Sequence, residues 1–511
     1  MPGRTHLEIE RKYAVDAGTA VPTFAGTGIT SAGITSVRSV APVHLEAVYY
    51  DTEDRRLLAA RIALRRRTGG HDAGWHVKLP GTGGRLEVQG PIDPADPDTP
   101  PPAVRAAIRS RVRDRPLTPL ARISTERTAV VLGDEDGERV EFVDDLVQAT
   151  DVRGGVLRSW REWEAEQVGD DPARSAAVLD ALEPLLLAAG ARPSASPAKL
   201  AQALGLGQTD GDAHLNRAAS SDTAGEAVRS RLAALVADLE DGETALRTAD
   251  DQAGRDDAVH AMRTTIRRLR SVLGLQTVLG PEAKRPRDEL RVLALSLGDS
   301  RDRAVLAETA AALLAEVPDE PGLDAAVSRL VTGVQQDAAE RAATALTRLD
   351  GRAHVVLMDT LEAISAATPT GPDATSPAHR VLPPLIARHG RRAYRRLRSA
   401  GSSEPALHAG RRAARRFHYL VDDLGGSAHA GRRLRAARKR AKRVQSTLGS
   451  HRDLMLLAEE LPFIAAQATA AGENAFIYGV LAERARSRAA ELLTEAGGAA
   501  RRLAVALQRL T

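Results

Sequence analysis

The sequence predicts an α+β protein in which an antiparallel β domain is followed by an all-helical one, and three observations carry that prediction. The first is a series of short segments with period-two alternation, punctuated by Gly, Pro and Asp, that fills the chain to about Asp151. The second is an abrupt change, beyond residue 222, to Ala/Leu/Arg-rich sequence with apolar residues three and four apart. The third is an internal repeat within that second half. A chain of 511 residues is also too long for one ordinary core, so two or three domains are expected.

In chain order, alternation marks strands over residues 7–13, 45–52, 61–67, 75–81, 85–90, 123–132 and 138–145, with turn residues between them. Another strand, WREWEAEQV, covers 160–168. Helical spacing then runs from Pro172 to Ala189 and stops at Gly190, a residue suited to ending a helix. A second short helix is expected near Pro197 and includes Lys199. Residues 205–222, GLGQTDGDAHLNRAASSD, are polar and aperiodic, and the boundary falls there. The expected division is a domain over 1–205, a linker over 206–221 and a helical domain over 222–511.

Hydrophobic residues at 43% and charged residues at 27% describe a folded globular chain. No run of about eighteen apolar residues occurs, and the opening MPGRTHLEIERKY lacks the apolar stretch of a signal peptide, so neither export nor a membrane partner is expected. The absence of cysteine excludes disulfides and thiolate metal sites and suits a reducing, cytoplasmic location. A net charge of +4 conceals a basic block. Between Arg380 and Arg443 there are 19 Lys/Arg against three acids, so the remainder of the chain is net acidic. Such a block attracts a polyanion, whether nucleic acid, anionic lipid or polyphosphate. With only 5 Phe, 3 Trp and 6 Tyr, base stacking is poorly provided for, and a phosphate chain without bases suits the composition better than nucleic acid.

Along the first strand, Glu8, Glu10 and Lys12 share one face while Leu7, Ile9 and Arg11 share the other. Two carboxylates and an ammonium on a buried face are costly without a ligand, and a divalent cation with a phosphate chain would compensate them. Arg65 and Arg67 repeat the habit, as do His76 and Lys78, Arg85 and Glu87, and Glu162, Glu164 and Glu166. One such strand fits a solvated sheet face equally well. Five together favour a closed sheet around a polyanion and its metals.

In the helical half, His260, Arg263, Arg267 and Arg268 align with His408, Arg411, Arg415 and Arg416 at one constant offset. Leu297-Gly298 and Arg301-Asp302 match Leu448-Gly449 and Arg452-Asp453 at an offset three residues longer. His at i with Arg at i+3 and i+7 makes one stripe of phosphate-oxygen donors. A solvated arginine-rich helix has the same look: His389, Arg392 and Arg396 share the spacing where arginine is simply abundant. The fixed offset sets the two repeated copies apart.

Glu8-Ile9-Glu10-Arg11-Lys12 resembles the E-x-E-x-K signature of CYTH domains, the triphosphate tunnel metalloenzymes, over roughly residues 4–205. Leu64 to Arg67 is similar to the family's L-R-x-R strand, Trp75 to Lys78 to its lysine strand, Arg127 to a later arginine, Glu162 to Glu166 to its late acidic strand, and Lys199 to a lysine after its last long helix. The resemblance implies an eight-stranded antiparallel β-tunnel. In it Arg65, Arg67, Lys78, Arg85, Arg127 and Lys199, with Lys12, hold the substrate, and Glu8, Glu10, Asp145, Glu162, Glu164 and Glu166 hold Mg²⁺ or Mn²⁺. Glu8, Glu10, Lys12 and Glu164 form the catalytic set. Asp145 is preferred to Asp144 because it shares strand parity with Glu141. His76 stands where the family often has Thr, and Gln89 where it often has an acid. The implied activity is metal-dependent hydrolysis of inorganic triphosphate or a related triphosphate. A thiamine triphosphatase, a class IV-type adenylate cyclase and a non-catalytic polyphosphate-binding scaffold are the other readings.

The repeat resembles the CHAD domain, a duplicated all-α helical bundle, over roughly 220–505. Val259 to Arg263 with Arg267 to Arg270 fits its first motif, and Leu407 to Tyr419 its second. The resemblance implies polyphosphate binding by His260, Arg263, Arg267, His408, Arg411 and Arg415, and association with polyphosphate granules. The oligomeric state is left open by the sequence.

Overall fold

A computed structural model describes residues 4–24, 32–81, 84–169, 171–196, 198–206, 222–317, 322–333, 344, 346–401, 403–426 and 431–508, without the side chains of 298–304 and 404. Most of the expected linker, and the side chains of Arg301 and Asp302, therefore lie outside the described residues. The chain divides into two compact units, Met1–Leu215 and Asn216–Thr511.

The first unit holds one antiparallel sheet of β1 (Arg4–Glu8), β2 (Glu10–Val15), β3 (Ser36–Asp51), β4 (Ala63–Thr68), β5 (Gly74–Gly81), β6 (Gly84–Gly90), β7 (Thr118–Asp134), β8 (Gly137–Asp151), β9 (Leu157–Gln167) and β10 (Arg192–Pro193). Its strand order is β1-β6-β5-β4-β3-β7-β8-β9-β2-β10. Only Ile9 separates β1 from β2, yet β1 pairs with β6 and β2 with β9, so residues 4–15 join the two ends of the sheet. The Ile9 carbonyl accepts from the Gln167 N–H at 2.9 Å across that break. Ten strands instead of the expected eight result from the break at Ile9 and from the two-residue β10; taken as one strand, residues 4–15 complete an eight-stranded tunnel.

The helices of this unit are α1 (Arg56–Ala59), α2 (Pro102–Val112), α3 (Pro172–Ala188) and α4 (Lys199–Ala203). Strand alternation sends Trp75, Val77 and Leu79 to the outer face, under Val104, Ala107 and Ile108 of α2. Tyr13, Phe142 and Trp163 likewise pack beneath Val178, Leu182 and Leu186 of α3. Burying such side chains contributes roughly 1.5–3 kcal/mol each. Helix α3 follows the expected range, with Asp171 capping it by accepting from the Arg174 N–H at 3.0 Å and Gly190 following it at φ +102°. Helix α2 is a correction to the all-strand reading up to Asp151. Its buried Val104, Ala107, Ile108 and Val112 are spaced i, i+3, i+4 and i+8, but this helical period spans only about three turns, with Arg105, Arg109 and Arg111 among it, and is easily lost between strands. Helix α4 brings Leu200 and Ala203 against Ala47, Ala63, Ile123 and Ala149, so one stretch of the tunnel interior is apolar and Lys199 is carried inside.

Apart from an isolated bridge between Thr223 and Pro377, the described regular structure of the second unit is helical: α5 (Ala224–Thr248), α6 (Gln252–Val272), α7 (Gln276–Leu279), α8 (Lys284–Ser296), α9 (Gly298–Leu314), α10 (Leu323–Val327), α11 (Arg352–Ala366), α12 (Ala378–Arg398), α13 (Glu404–Leu424), α14 (Arg432–Ala470) and α15 (Phe476–Gln508), with short 3₁₀ and π turns between some of them. Thr223 and Glu226 form a reciprocal capping box that starts α5. One core joins Met262, Ile266 and Leu269 of α6 to Leu382 and Ile386 of α12 and Phe417 and Leu420 of α13. A second joins Ala310 and Leu313 of α9 to Leu457 of α14 and Leu481 of α15. The duplicated motifs are α6 and α13, which pack against each other. Among the described residues, no helix is long and apolar enough to cross a membrane.

Candidate active site and basic cavity

Residues directly opposite each other on paired strands share a face, and the register decides which charges meet. Lys12 lies opposite Glu164, Glu10 opposite Glu166, and Ala14 opposite Glu162. Glu162 lies opposite Asp145, and Asp145 opposite Arg127. Glu8 faces Arg85, Lys78 faces Glu87, and Arg65 faces both His76 and Tyr49. All of these side chains point inward, around a cavity of about 660 Å³ whose lining includes Glu8, Glu10, Lys12, Arg65, Arg67, Lys78, Arg85, Arg127, Glu164, Glu166 and Lys199.

Two charge clusters result. In the first, the Lys199 ammonium lies 3.0 Å from Asp145, 2.6 Å from Glu162 and 2.8 Å from Glu164. Lys12 pairs with Glu164 and stands 3.2 Å from Glu10. Arg127 donates to both oxygens of Asp145, at 2.8 and 2.7 Å, and to Glu164 at 3.3 Å. Asp145 and Glu162 sit behind these cations and do not themselves line the cavity. Asp144 faces outward to Arg161 at 2.8 Å, as its opposite parity requires. In the second cluster, Lys78 pairs with Glu8, Arg65 stands 3.9 Å from Glu87, and Arg67 pairs with Asp72. Arg85 donates to the Arg61 carbonyl at 2.9 Å.

Burial works against the charge on Lys12 and Lys199, but Glu164 and its neighbouring carboxylates hold both ammonium groups above their ordinary range. Burial likewise opposes the Glu164 charge, and Lys12, Lys199 and Arg127 override it, holding the carboxyl well below its ordinary value. Two groups are left unbalanced. Burial, then Arg65 and Arg127, push the Arg67 guanidinium down to about 9. Burial and Glu8 push Glu166 up to about 7, with Lys78 opposing them. The buried Glu8 Oε2 has no hydrogen-bond partner among the described residues. A buried guanidinium pressed by Arg65 and Arg127, and a buried carboxyl pressed by Glu8 beside an unpartnered carboxylate oxygen, fit a phosphate chain with a divalent ion. Donor oxygens of Asp145, Glu162 and Glu164 also lie within 4.8 Å of one another, and the Lys199 ammonium occupies their centre.

The helical unit contains a cavity of about 570 Å³ lined by Arg267 and Arg270 of α6, Arg287 of α8, Arg388, His389, Arg392 and Arg396 of α12, and Arg412, Arg415 and Arg416 of α13. No Asp or Glu is among its described lining residues. Burial and Arg267 push Arg415 down to about 9, and burial and Arg287 push Arg416 down to about 10. A nest of guanidinium groups that repel one another has the chemistry to accept a polyanion.

Residues 6–187 match the CYTH domain family and residues 230–462 the CHAD domain family. The Mycobacterium tuberculosis protein Rv2226 is 32% identical over 526 residues, covering 99% of this chain and 98% of its own. The chain belongs to the family of proteins that join a CYTH domain to a CHAD domain. It is also similar to the solved CHAD domain of Ricinus communis (22% identity, 57% of this chain and 93% of that one, TM-score 0.43). A further similarity is to the Hippeastrum protein HpAC1, described by a dominant triphosphatase activity (16% identity, 39% and 96% coverage, TM-score 0.24). The CYTH superfamily comprises divalent-metal-dependent triphosphatase and adenylate cyclase-like enzymes.

Within the CHAD unit the structure divides the expected residues. Arg267 and Arg415 line the cavity; His260, Arg263, His408 and Arg411 do not. Arg263 donates to the Leu297 carbonyl at 3.0 Å, and the Arg411 guanidinium lies so close to Gly449 that a Cβ there would meet it at 3.0 Å. Each motif arginine thus faces the Leu-Gly pair of its own repeat, which explains why both features recur together. The His389, Arg392, Arg396 stripe, which in the sequence looks like mere abundance of arginine, lines the cavity. Arg268 pairs with Asp423, whereas its repeat partner Arg416 enters the cavity. Within the CYTH unit, Glu87 is a site residue that the sequence motifs do not single out. Glu87 is buried, contacts His76 Nδ1 at 2.8 Å and lies near Arg65, while His76 Nε2 reaches the Asp72 carbonyl at 2.9 Å. Its parity with Arg85 was the available signal; Asp72, in a hairpin loop, offered none.

Proposed function

We propose that the CYTH unit hydrolyses a phosphoanhydride bond of inorganic triphosphate or a related triphosphate with Mg²⁺ or Mn²⁺, and that the CHAD unit binds polyphosphate in its arginine cavity. The supporting observation is the tunnel interior, where Arg67, pressed down to about 9 by burial, Arg65 and Arg127, and Glu166, pushed up to about 7 by burial and Glu8, line one cavity with Glu8, whose Oε2 has no hydrogen-bond partner among the described residues. Glu8, Glu10, Glu164 and Glu166 would hold the ion from the cavity wall, with Asp145 and Glu162 behind Glu164. What a divalent ion supplies when bound is charge neutralisation at phosphate oxygens and a more acidic water. Arg65, Arg67, Lys78 and Arg127 grip the phosphate chain and fix it in line for attack. The water oxygen bonds to phosphorus, the bridging P–O bond breaks, and the proton ends on the departing phosphate. Tyr49 is the only Phe, Tyr or Trp among the described lining residues, so a nucleobase or thiamine ring finds little to stack on, which favours inorganic substrate.

Phosphate release from triphosphate, ATP and thiamine triphosphate, each with Mg²⁺, Mn²⁺ or chelator, tests the reading. Release from triphosphate that chelator abolishes, with ATP and thiamine triphosphate slower, is expected. Cyclic AMP from ATP would point to a cyclase, and no release from any substrate would leave a polyphosphate-binding scaffold.

Gly274 provides a second prediction. A Cβ there would stand 1.9 Å from Arg416 Nη2, the far end of a flexible side chain. Gly274→Ala is therefore expected to leave the thermal midpoint nearly unchanged while displacing Arg416. Polyphosphate affinity should weaken severalfold, and the salt dependence of binding should flatten by about one unit of slope.

A further inference from the structure

We infer that His389 is a proton-accepting ligand group of the arginine cavity, so that a polyphosphate chain enters this site together with a proton taken from solvent. The inference rests on the proposed polyphosphate binding and adds how that binding responds to pH.

His389 is partly buried on α12, one turn from Arg392 and next to Arg388. The groups that face it across the cavity are Arg267 and Arg270 from α6, Arg287 from α8, and Arg412, Arg415, Arg416 and Tyr419 from α13. Helices α5 and α15 also pack on α12 but contribute no residue to the described lining. Burial, then Arg416, Arg392, Arg388 and Arg287, hold the free imidazole down to about 4, so it is neutral at neutral pH. Every one of those charged neighbours is an arginine, and each is a partner for phosphate oxygens.

Filling the cavity with a chain that carries about one negative charge per internal phosphoryl group offsets the arginine repulsion and sets phosphate oxygens beside the ring, which together work against the effect of burial. The imidazole is then raised toward its ordinary range, and once it is protonated both of its ring nitrogens are donors to phosphate oxygens. The sign of the linkage follows. The protonated protein binds the polyanion more tightly, so affinity rises as pH falls through the bound-state value and levels off only below about 4, the free-state value. The arginines cannot produce this response because they are charged in both states over that range. His408, also held down to about 4 by burial and then by Arg412, Arg452, Arg411 and Arg415, does not line the cavity and feels a bound chain only through Arg412 and Arg415, so it serves as the comparison.

The test is isothermal titration of the full chain with polyphosphate of defined length, between about pH 5.5 and 8, in two buffers of different ionisation enthalpy. Wild type is expected to take up several tenths of a proton to one proton per site near pH 6, on top of any uptake by the ligand's own termini. His389→Gln should lose that uptake, and the ratio of wild-type to variant affinity should grow about tenfold from pH 8 to pH 5.5. His408→Gln should keep most of the uptake, since its ring does not line the cavity. Parallel pH profiles in wild type and His389→Gln, with binding intact, would overturn the inference but leave polyphosphate binding standing. Wild-type uptake near pH 6 no greater than the ligand's own termini supply would overturn it even if the variant failed to fold. Absence of binding at every pH would remove the polyphosphate reading itself and this inference with it.

Discussion

Glu10→Gln is expected to lower metal-dependent phosphate release from triphosphate about a thousandfold, the several kcal/mol that a correctly held cation contributes to such a transition state. Glutamine keeps the size of the side chain and removes only its charge. Glu10 lines the tunnel cavity, lies opposite Glu166 and stands 3.2 Å from the Lys12 ammonium. Lys12 retains its partner Glu164, and the backbone pairing of β2 with β9 does not involve the side chain, so the sheet should survive. The thermal midpoint should stay within a few degrees of wild type. Polyphosphate retention should be unaffected, because the arginine cavity belongs to the other unit. Turnover measured against Mg²⁺ concentration separates two causes of loss. Recovery at high Mg²⁺ would mean that Glu10 tunes affinity for the ion, whereas loss at every concentration means that it fixes the ion's position. Equal loss of turnover and of polyphosphate retention would sink the assignment of separate tasks to the two units.

The tunnel was legible because a strand has a period of two. Once Glu8, Glu10 and Lys12 share a face, register alone carries the same parity round to Glu164, Asp145 and Arg127, and the structure obeys it residue by residue. Helix α2 escaped that logic because its helical period is short and has arginine among it. The partition of the acids also escaped it: parity places Glu162 and Asp145 inward, but it cannot say that Lys199 and Arg127 stand between them and the cavity. The helical unit was legible as a fold and much less so as a site. Spacing along one helix identifies a stripe, whereas the cavity is assembled from four helices. Arg263 and Arg411 repeat faithfully because each meets a Leu-Gly pair some thirty to forty residues on, a packing reason that looks like a binding motif in sequence. Arg268 and Arg416 align perfectly, yet Asp423 holds the first while the missing side chain of Gly274 makes room for the second.

That partition yields the other large effect. Replacing Arg392 and Arg415 together with Ala is expected to weaken polyphosphate binding about a hundredfold at low salt, taking roughly 1.5 kcal/mol for each charge-assisted hydrogen bond to phosphate that disappears. The slope of log affinity against log salt should flatten by about two units, since two phosphates are no longer neutralised. Stability should move the opposite way. Arg415 is pressed down to about 9 by burial and by Arg267, so its charge is a burden on the empty protein, and relieving it should raise the thermal midpoint by a few degrees. Triphosphate hydrolysis should be unchanged. Arg263→Ala is the discriminating partner: it removes the bond to the Leu297 carbonyl, so it should lower the midpoint and affect binding only as far as the bundle loosens. If Arg263→Ala weakened binding more than the cavity double variant at an unchanged midpoint, the motif residues would be the ligand groups and the arginine cavity would not. A gain in stability coupled to a loss of binding at Arg392 and Arg415 is the signature of groups held together against their own repulsion for the sake of an anion.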